Sequence, residues 1–480
     1  MSPEKKTPLR VVIIGGSITG LTLAHCLDKA GIDYIVLEQH HDILVSIGGA
    51  VALQPNGCRV LDQIGVFDEL KLRTDLEDYS NTFPDGYTWH ARSCASYAEG
   101  FGYPVTVTSR RNILDALYVS LEHQSKIMVG VKVTDISPSV SSDGPLTITT
   151  DNDTQYTADI VVGADGVHGI TRSEMHRIAD MQRPGLMPKD DPSNLTVDYL
   201  CLVGITDPIP ADSAVARGLQ PRRLYGVSYP GAYIMLAING DSTVGWCVQV
   251  KTDRTYTHPH VPQWSHEDTR TKLEEISDYE LCKSLKFRDI WQLTPSISCV
   301  PSQEGVLETW SFGRIACIGD NVFKLTPNLA QGANLCMESA ATLANALHEL
   351  ITSNTENRKP TETVCHDTIS KHLIPLKDRI TNTCDESYKI SRLQSLETPT
   401  DWFMARYINP HLTWLMYYVT WVSLRYAAVL SYVPLPERAL VAGQRRDRVV
   451  RKWGVRIACG MLLGLYAICS LSLPLKISSQ

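Results

Sequence analysis

The chain has 480 residues, more than one ordinary hydrophobic core accommodates, so two or more closely packed domains are expected. Apolar residues make up 43% and charged residues 20%, which excludes a disordered or fibrous chain. The 45 basic and 52 acidic residues leave a net charge of −7, so the overall charge gives no reason to expect nucleic acid as a partner. Thirteen cysteines, an odd number without a CxxC pair, read as buried reduced thiols and place the main body on the cytosolic side.

The first ten residues are charged and polar and do not read as a secretory signal. Residues 9–39 then read as strand, glycine turn, helix and strand. Leu9, Val11, Val12, Ile13 and Ile14 form an apolar, β-branched run suited to a buried parallel strand. Residues 21–29 carry helical spacing, Gly31 closes that helix, and Tyr34, Ile35, Val36 and Leu37 make the second strand. Between strand and helix stands Gly15-Gly16-Ser17-Ile18-Thr19-Gly20. Such a tight turn presents free helix N–H groups and the helix dipole to a pyrophosphate. Glu38 ends the second strand, 18 residues beyond Gly20, where a carboxylate accepts hydrogen bonds from a ribose hydroxyl. The combination predicts a dinucleotide site.

Farther along, residues 109–124 read as a helix with Leu114, Leu117 and Leu121 at helical spacing. Strands are predicted at 127–133, 146–150 and 160–163. From about 195 to 300 the pattern becomes β, with strands at 199–205, 224–229, 233–238 and 243–250, separated by turns such as Pro230-Gly231 and Asn239-Gly240. An antiparallel substrate-domain sheet, inserted into the nucleotide domain, is the expected result. The chain returns to the nucleotide domain at Arg314, and 337–347 begins a helical region. The predicted divisions are therefore 1–190 and 301–400 for the nucleotide domain and its helices, 191–300 for the β-rich domain, and 401–480 for a helical tail.

The tail has its own logic. Residues 457–475 carry no charge and are bracketed by Arg456 and Lys476; at about 1.5 Å per residue they nearly match a bilayer core of about 30 Å. A transmembrane helix is predicted there. Residues 408–424 are also uncharged, rich in Trp and Tyr, and end at Arg425. The intervening Arg438, Arg445, Arg446, Arg448, Arg451, Lys452 and Arg456 should stay cytoplasmic. Residues 408–435 are accordingly expected to lie in the interface or re-enter, with a single crossing at 457–475 that leaves Gln480 in the lumen.

Three motifs in order resemble the group A flavoprotein monooxygenases, the fold family of para-hydroxybenzoate hydroxylase. The glycine turn is the first. Asp159-Ile160-Val161-Val162-Gly163-Ala164-Asp165-Gly166, followed by Arg172, is similar to the family's Asp-Gly motif, although Gly169 stands where serine is usual. Gly313-Arg314-Ile315-Ala316-Cys317-Ile318-Gly319-Asp320 resembles its Gly-Asp motif, continuing through Pro327-Asn328-Leu329-Ala330-Gln331-Gly332-Ala333-Asn334, with alanine at 330 where glycine is usual. The resemblance covers roughly residues 9–350. It implies an α/β fold, an FAD-binding Rossmann-like domain with an inserted antiparallel β substrate domain. It implies flavin contacts at Gly15, Gly16, Ser17, Gly20, Glu38, Ala52, Arg110 (Arg111 second), Asp165, Gly166, Gly319, Asp320, Pro327, Gly332 and Ala333. Ser17 replaces the family's middle glycine. A helix start at Gly332 and Ala333 suits a flavin, whose N1 and C2=O gain electron density on reduction.

More narrowly, Gly15 through Leu27, the run Leu53-Gln54-Pro55-Asn56-Gly57 and the apolar tail look like fungal membrane-bound epoxidases of meroterpenoid and indole-diterpene biosynthesis. That resemblance implies electrophilic oxygen transfer from O2 to an alkene of a lipophilic prenylated substrate, upstream of a terpene cyclase. It also implies an endoplasmic-reticulum membrane location with the catalytic domain in the cytosol. A second glycine fingerprint is missing from the sequence, so NAD(P)H is expected to visit as a transient reductant. Tyr225, on a predicted substrate-domain strand, is the candidate catalytic side chain by resemblance. A ring hydroxylase of the same family and an inactive flavin-binding scaffold are the competing readings.

Overall fold

The computed structural model describes residues 9–44, 49–91, 93–139, 144–188, 191–258, 260–282, 285–353 and 359–442. The predicted crossing at 457–475 and most of the basic stretch lie outside these residues. Among the described residues, no helix is long and apolar enough to cross a membrane.

The first strand, Arg10–Ile14, is the centre of a six-stranded sheet. Ile160–Gly163 lies parallel on one side and Asp33–Glu38 parallel on the other, so chain order reverses across the first strand. Ile315–Cys317 and Ile127–Val129 extend the sheet in the same sense. Such a parallel sheet needs cover on both faces, which explains why Val11, Val12, Ile13, Val161 and Val162 are all fully buried. Helix Ile18–Ala30 covers it, packed on the long helix Gly332–Ser353. The point of reversal opens a crevice at the carboxyl ends of the strands, where open α/β sheets bind ligands.

The second sheet has eight strands and differs from the expected one. Thr196–Ile205, Arg223–Tyr229, Ala232–Ile238 and Val244–Thr257 form antiparallel neighbours as predicted. Two further strands, Asp78–Thr82 and Thr88–Ala91, come from the first part of the chain, and Asp78–Thr82 pairs parallel with Arg223–Tyr229. That parallel pair makes the sheet mixed, with Thr88–Ala91 at its edge; Asp78-Tyr79-Ser80-Asn81-Thr82 is polar and lacks the apolar alternation that marks a strand in sequence. At the Asn239-Gly240 turn the left-handed residue is Ser242, with φ +64°.

One face of this sheet buries a core of Tyr225, Val227, Ile234, Leu236, Trp246, Val248 and Phe287. The other turns toward the nucleotide domain. There a Cβ on Gly49 would sit 3.0 Å from Val203, and one on Gly245 would collide with Ala50, so two chain segments meet at glycines. The 33-residue helix Glu362–Gln394 closes the joint.

The predicted interfacial segment divides in two. Residues 409–425 form a helix that follows a π-helical turn, Met404–Ile408. Residues 423–433 then dock on the nucleotide domain by hydrogen bonds to main-chain groups. Arg59 donates to the carbonyls of Leu424 (3.1 Å) and Ala427 (3.2 Å), and Gln63 donates to those of Leu430 (3.0 Å) and Val433 (2.9 Å). The Tyr432 hydroxyl donates to the Cys26 carbonyl at 2.7 Å.

Candidate active site

The glycine turn sits at the point of reversal. Gly15 has φ +105°, and a Cβ there would strike the Ala164 carbonyl oxygen; a Cβ on Gly20 would strike the carbonyl oxygen of Gly15. Only glycine allows this approach of helix to strand. Ser17 occupies the N-cap of the helix without capping it: its hydroxyl instead accepts a hydrogen bond from Arg110 Nη2 at 2.8 Å. The first N–H groups of the helix thus stay available for an anion, as phosphate binding at a helix start requires. The serine that stands in the family's glycine position is an anchor for Arg110.

Glu38 is buried, and its carboxylate already accepts from the N–H of Gly16 (2.6 Å) and of His40 (2.8 Å). Each oxygen retains a second lone pair for a ribose hydroxyl. Burial pulls the Arg110 guanidinium below its ordinary pKa, and the charges of Asp320 and Glu38 oppose that shift. Arg110 therefore lies in the field of both acids. Arg111, on the next position of the same helix, faces outward and is exposed.

Asp165 is held differently from an open ligand. It accepts from the Thr171 N–H (3.0 Å) and hydroxyl (2.9 Å) and from the Asn321 amide. Burial raises its pKa, opposed by those same bonds. A Cβ on Gly169 would collide with this carboxylate, which accounts for glycine where the family has serine. Asp165 thus ties its loop, including Gly166 (φ +79°), to the turn that follows Gly319. Asp320 keeps 46% of its side chain exposed while pairing with Lys324 at 2.7 Å. Burial pushes its pKa up, but Lys324, the Cys336 thiol and Arg110 outweigh that, and the carboxyl ends below its ordinary value. It remains ionised and accessible.

The loop 327–334 begins with a single turn, Pro327–Leu329, and passes through Ala330 at φ +52°, ψ +32° into the helix starting at Gly332. Left-handed alanine is strained by roughly 1–2 kcal/mol. Ala330→Gly is expected to raise stability by roughly 0.5–1 kcal/mol, because glycine's looser unfolded chain offsets part of the relief; a thermal midpoint unchanged or lowered would contradict this.

Side chains that the sequence reading left out hold this loop. Gln54 Nε2 donates to the Leu329 carbonyl (2.6 Å), and Gln331 donates to Gln54 (2.8 Å). Asn334 donates to the carbonyls of Ala52 (3.1 Å) and Ala330 (2.6 Å) and accepts from the Gln54 N–H (2.9 Å). The Ala52 carbonyl is therefore engaged within the protein. Their sequence trace was membership of the motif stretches 53–57 and 327–334.

Tyr225 is placed away from the loop. It belongs to the core face of the second sheet, 5% exposed, and its hydroxyl accepts from the Gln220 N–H at 2.5 Å. Strand alternation puts Gly226 and Ser228 on the opposite face. That face carries Tyr79, Asn81, Tyr233, Met235, Cys247 and Cys201 instead. Tyr79 and Tyr233 share a 2.7 Å hydrogen bond, Gln394 reaches Tyr233 at 3.2 Å, and Asn328 of the loop donates to Gln394 at 2.6 Å. A continuous hydrogen-bonded path therefore joins the sheet to the loop. The tyrosine linked to the loop is Tyr233, through Gln394 and Asn328.

A parallel sheet with a helix-start anion cradle at its reversal point, an acid closing the second strand and an ionised aspartate beside the loop together define a dinucleotide-binding flavoprotein. FAD fits: glycine at 15 and 20 lets the uncapped helix start lie against the strand, and the charges of Glu38 and Asp320 both act on Arg110 beside it. Residues 8–359 match the family described as the FAD binding domain. The chain is 34% identical over 432 residues to the FAD-dependent monooxygenase aurC of Calcarisporium arbuscula, covering 90% of this chain and 87% of that one. It is 33% identical over 435 residues to the FAD-dependent monooxygenase atmM of Aspergillus flavus, covering 90% and 88%. Among solved structures, Klebsiella pneumoniae HpxO complexed with FAD and uric acid shares the fold, with a TM-score of 0.66 at 17% identity over 91% of this chain and all of that one. The chain belongs to the FAD-dependent monooxygenases of fungal secondary metabolism, with the α/β FAD-binding fold of the group A enzymes.

Proposed function

We propose that this monooxygenase epoxidises an alkene of a lipophilic, prenylated intermediate of the meroterpenoid or indole-diterpene type. The observation that carries this reading is the neutrality of the sheet face turned toward the loop. Burial raises the Tyr79 hydroxyl to about 12 and lifts Tyr233 well above its ordinary value; the Cys247 thiol is raised by its bond to Cys201 and by burial. Among the described residues, the face from Tyr79 across to Cys201 offers amides, hydroxyls and thiols, and the carboxylate just beyond it, Glu397, is engaged by Tyr199 and Lys251. A phenol ring is activated for oxygen attack by losing its proton, which needs a base; an alkene needs only orientation and a dry site.

When bound, FAD supplies the electrophilic oxygen after reduction by NAD(P)H and reaction with O2. The protein's part is to hold that group and shape the space around it. Glu38, Arg110 and Asp320 would hold its polar portions, Ala50, Val203 and Met235 would present apolar surface, and the Tyr79–Tyr233–Gln394–Asn328 path fixes the loop against the sheet. The epoxide product is a suitable substrate for a terpene cyclase acting downstream.

A lipid location supports the same reading. Large apolar side chains stay exposed along 403–441, among them Phe403, Tyr407, Val419, Tyr426 (72%), Leu440 and Val441, with Arg425 exposed beside Tyr426, while Arg406 and Arg438 pair with Asp85 and with Asp62 and Asp68. Apolar and basic groups on one segment are what a monotopic protein presents to an anionic membrane surface. We infer a catalytic domain on the cytosolic face of the endoplasmic reticulum; the single crossing expected at 457–475 lies outside the described residues. A glycosylation tag after Gln480 should be modified; an unmodified tag contradicts the single crossing.

The substrate class is tested by comparing a prenylated aromatic with its unprenylated parent phenol. The prenylated compound should accelerate NAD(P)H oxidation and acquire one oxygen on its chain. Equal or greater stimulation by the parent phenol, with oxygen gained on the ring, would establish ring hydroxylation instead.

A further inference from the structure

The docked segment 423–433 and the loop 327–334 are joined through one carboxylate. Glu338 is fully buried, one helical turn beyond the loop. It accepts from Asn56 Nδ2 (3.1 Å), from Arg379 Nε (2.7 Å) and Nη2 (3.3 Å), and from the Ala428 N–H (2.9 Å). Arg379 continues to the Ser423 carbonyl (2.8 Å) and hydroxyl (3.0 Å). Toward the loop, Asn56 Nδ2 also donates to Gln331 at 2.9 Å, and Gln331 leads through Gln54 to the Leu329 carbonyl. Hydrogen bonds therefore run without a break from Ala428 to Leu329.

We propose that Glu338 is a positioning residue for the flavin loop, and that the C-terminal segment 423–433 is part of the FAD site although it touches none of the loop. The buried carboxylate has a fixed number of acceptor positions, and Ala428 and Arg379 occupy those facing the tail. With them in place, Asn56 is oriented toward Gln331 and Gln331 toward Gln54, which sets the carbonyl of Leu329 and the strained turn at Ala330. Withdrawal of the tail leaves the carboxylate short of donors, and its cheapest repair is to recruit Asn56 away from Gln331. The loop then loses its fixed geometry. Gln63 contributes from the far side: it accepts from the Leu430 N–H (2.8 Å) while donating to Leu430 and Val433, so it clamps the segment without contacting Glu338. This coupling rests on the FAD site alone and is independent of which substrate is oxidised.

The experiment is FAD titration of full-chain apoprotein, well below its unfolding transition, for Glu338→Gln and Gln63→Leu. Each variant should raise the FAD dissociation constant about five- to tenfold, the loss of roughly one buried hydrogen bond's worth of loop order, and should shift the flavin visible spectrum. Glu338→Asp should recover part of the affinity. If Gln63→Leu lowers the thermal midpoint yet leaves dissociation constant and spectrum within twofold of the parent, the tail is only structural and the proposal fails. Hydrogen exchange on the unaltered protein decides the matter if a variant does not fold. FAD should protect amides of 423–433 together with those of 327–334; protection confined to 327–334 overturns the proposal.

Discussion

Arg379→Ala is expected to destabilise the protein by about 3–5 kcal/mol, because it leaves the Glu338 carboxylate buried without its charged partner. Glu338 is fully buried and the Arg379 side chain is only 16% exposed, so solvent cannot repair the loss. The same change releases the Ser423 carbonyl, so the tail helix should loosen as the core does. The measurement is the denaturant midpoint together with tryptic cleavage near residue 425. A midpoint close to the parent's would mean that water or another side chain satisfies Glu338. Adding Glu338→Gln to Arg379→Met should restore much of the stability, since the pair is then neutral.

The second large effect is at the cradle. Gly20→Ala places a methyl group against the Gly15 carbonyl oxygen, a backbone atom that cannot rotate aside. The first helix must then move off the strand that carries the turn. Overpacking of this kind costs typically about 1–3 kcal/mol. Its larger consequence is functional, since the helix N–H groups lose their aim at the pyrophosphate. The purified variant should be colourless and should fail to take up added FAD while its far-UV circular dichroism stays near the parent's. A yellow, stoichiometrically loaded Gly20→Ala protein would show that the pyrophosphate lies elsewhere.

The elements easiest to read in sequence were those whose physics is local. A buried parallel strand is apolar throughout, a glycine turn must be glycine, and an acid at a strand end is fixed by chain spacing; hence Arg10–Ile14, Gly15 to Gly20 and Glu38 fall where the pattern put them. The strands Asp78–Thr82 and Thr88–Ala91 were invisible because their buried positions include polar side chains such as Ser80, Asn81 and Thr82, which leave no apolar alternation. Tyr225 and Tyr233 illustrate a different limit. Both lie on β-strands with an aromatic ring, and only the register shows that Tyr225 shares its face with Leu236 and Trp246. Glu338 and Arg379 carry no mark of burial in the sequence, since it is the folded tail that covers them. The dock of 423–433 was hidden for a related reason, since Arg59 and Gln63 recognise its carbonyls, and main-chain acceptors carry no sequence signature.

We propose that this fold, seated at a lipid surface, delivers one atom of O2 to a prenyl chain. The direct measurement is a turnover under 18O2 with the full-chain protein in liposomes, FAD, NAD(P)H and a prenylated aromatic or indole diterpene, read by fragment mass spectrometry. The account predicts one heavy oxygen in a fragment containing the prenyl chain, as an epoxide or the diol derived from it. Heavy oxygen on the aromatic ring, or reductant consumption that yields no labelled organic product, would contradict it.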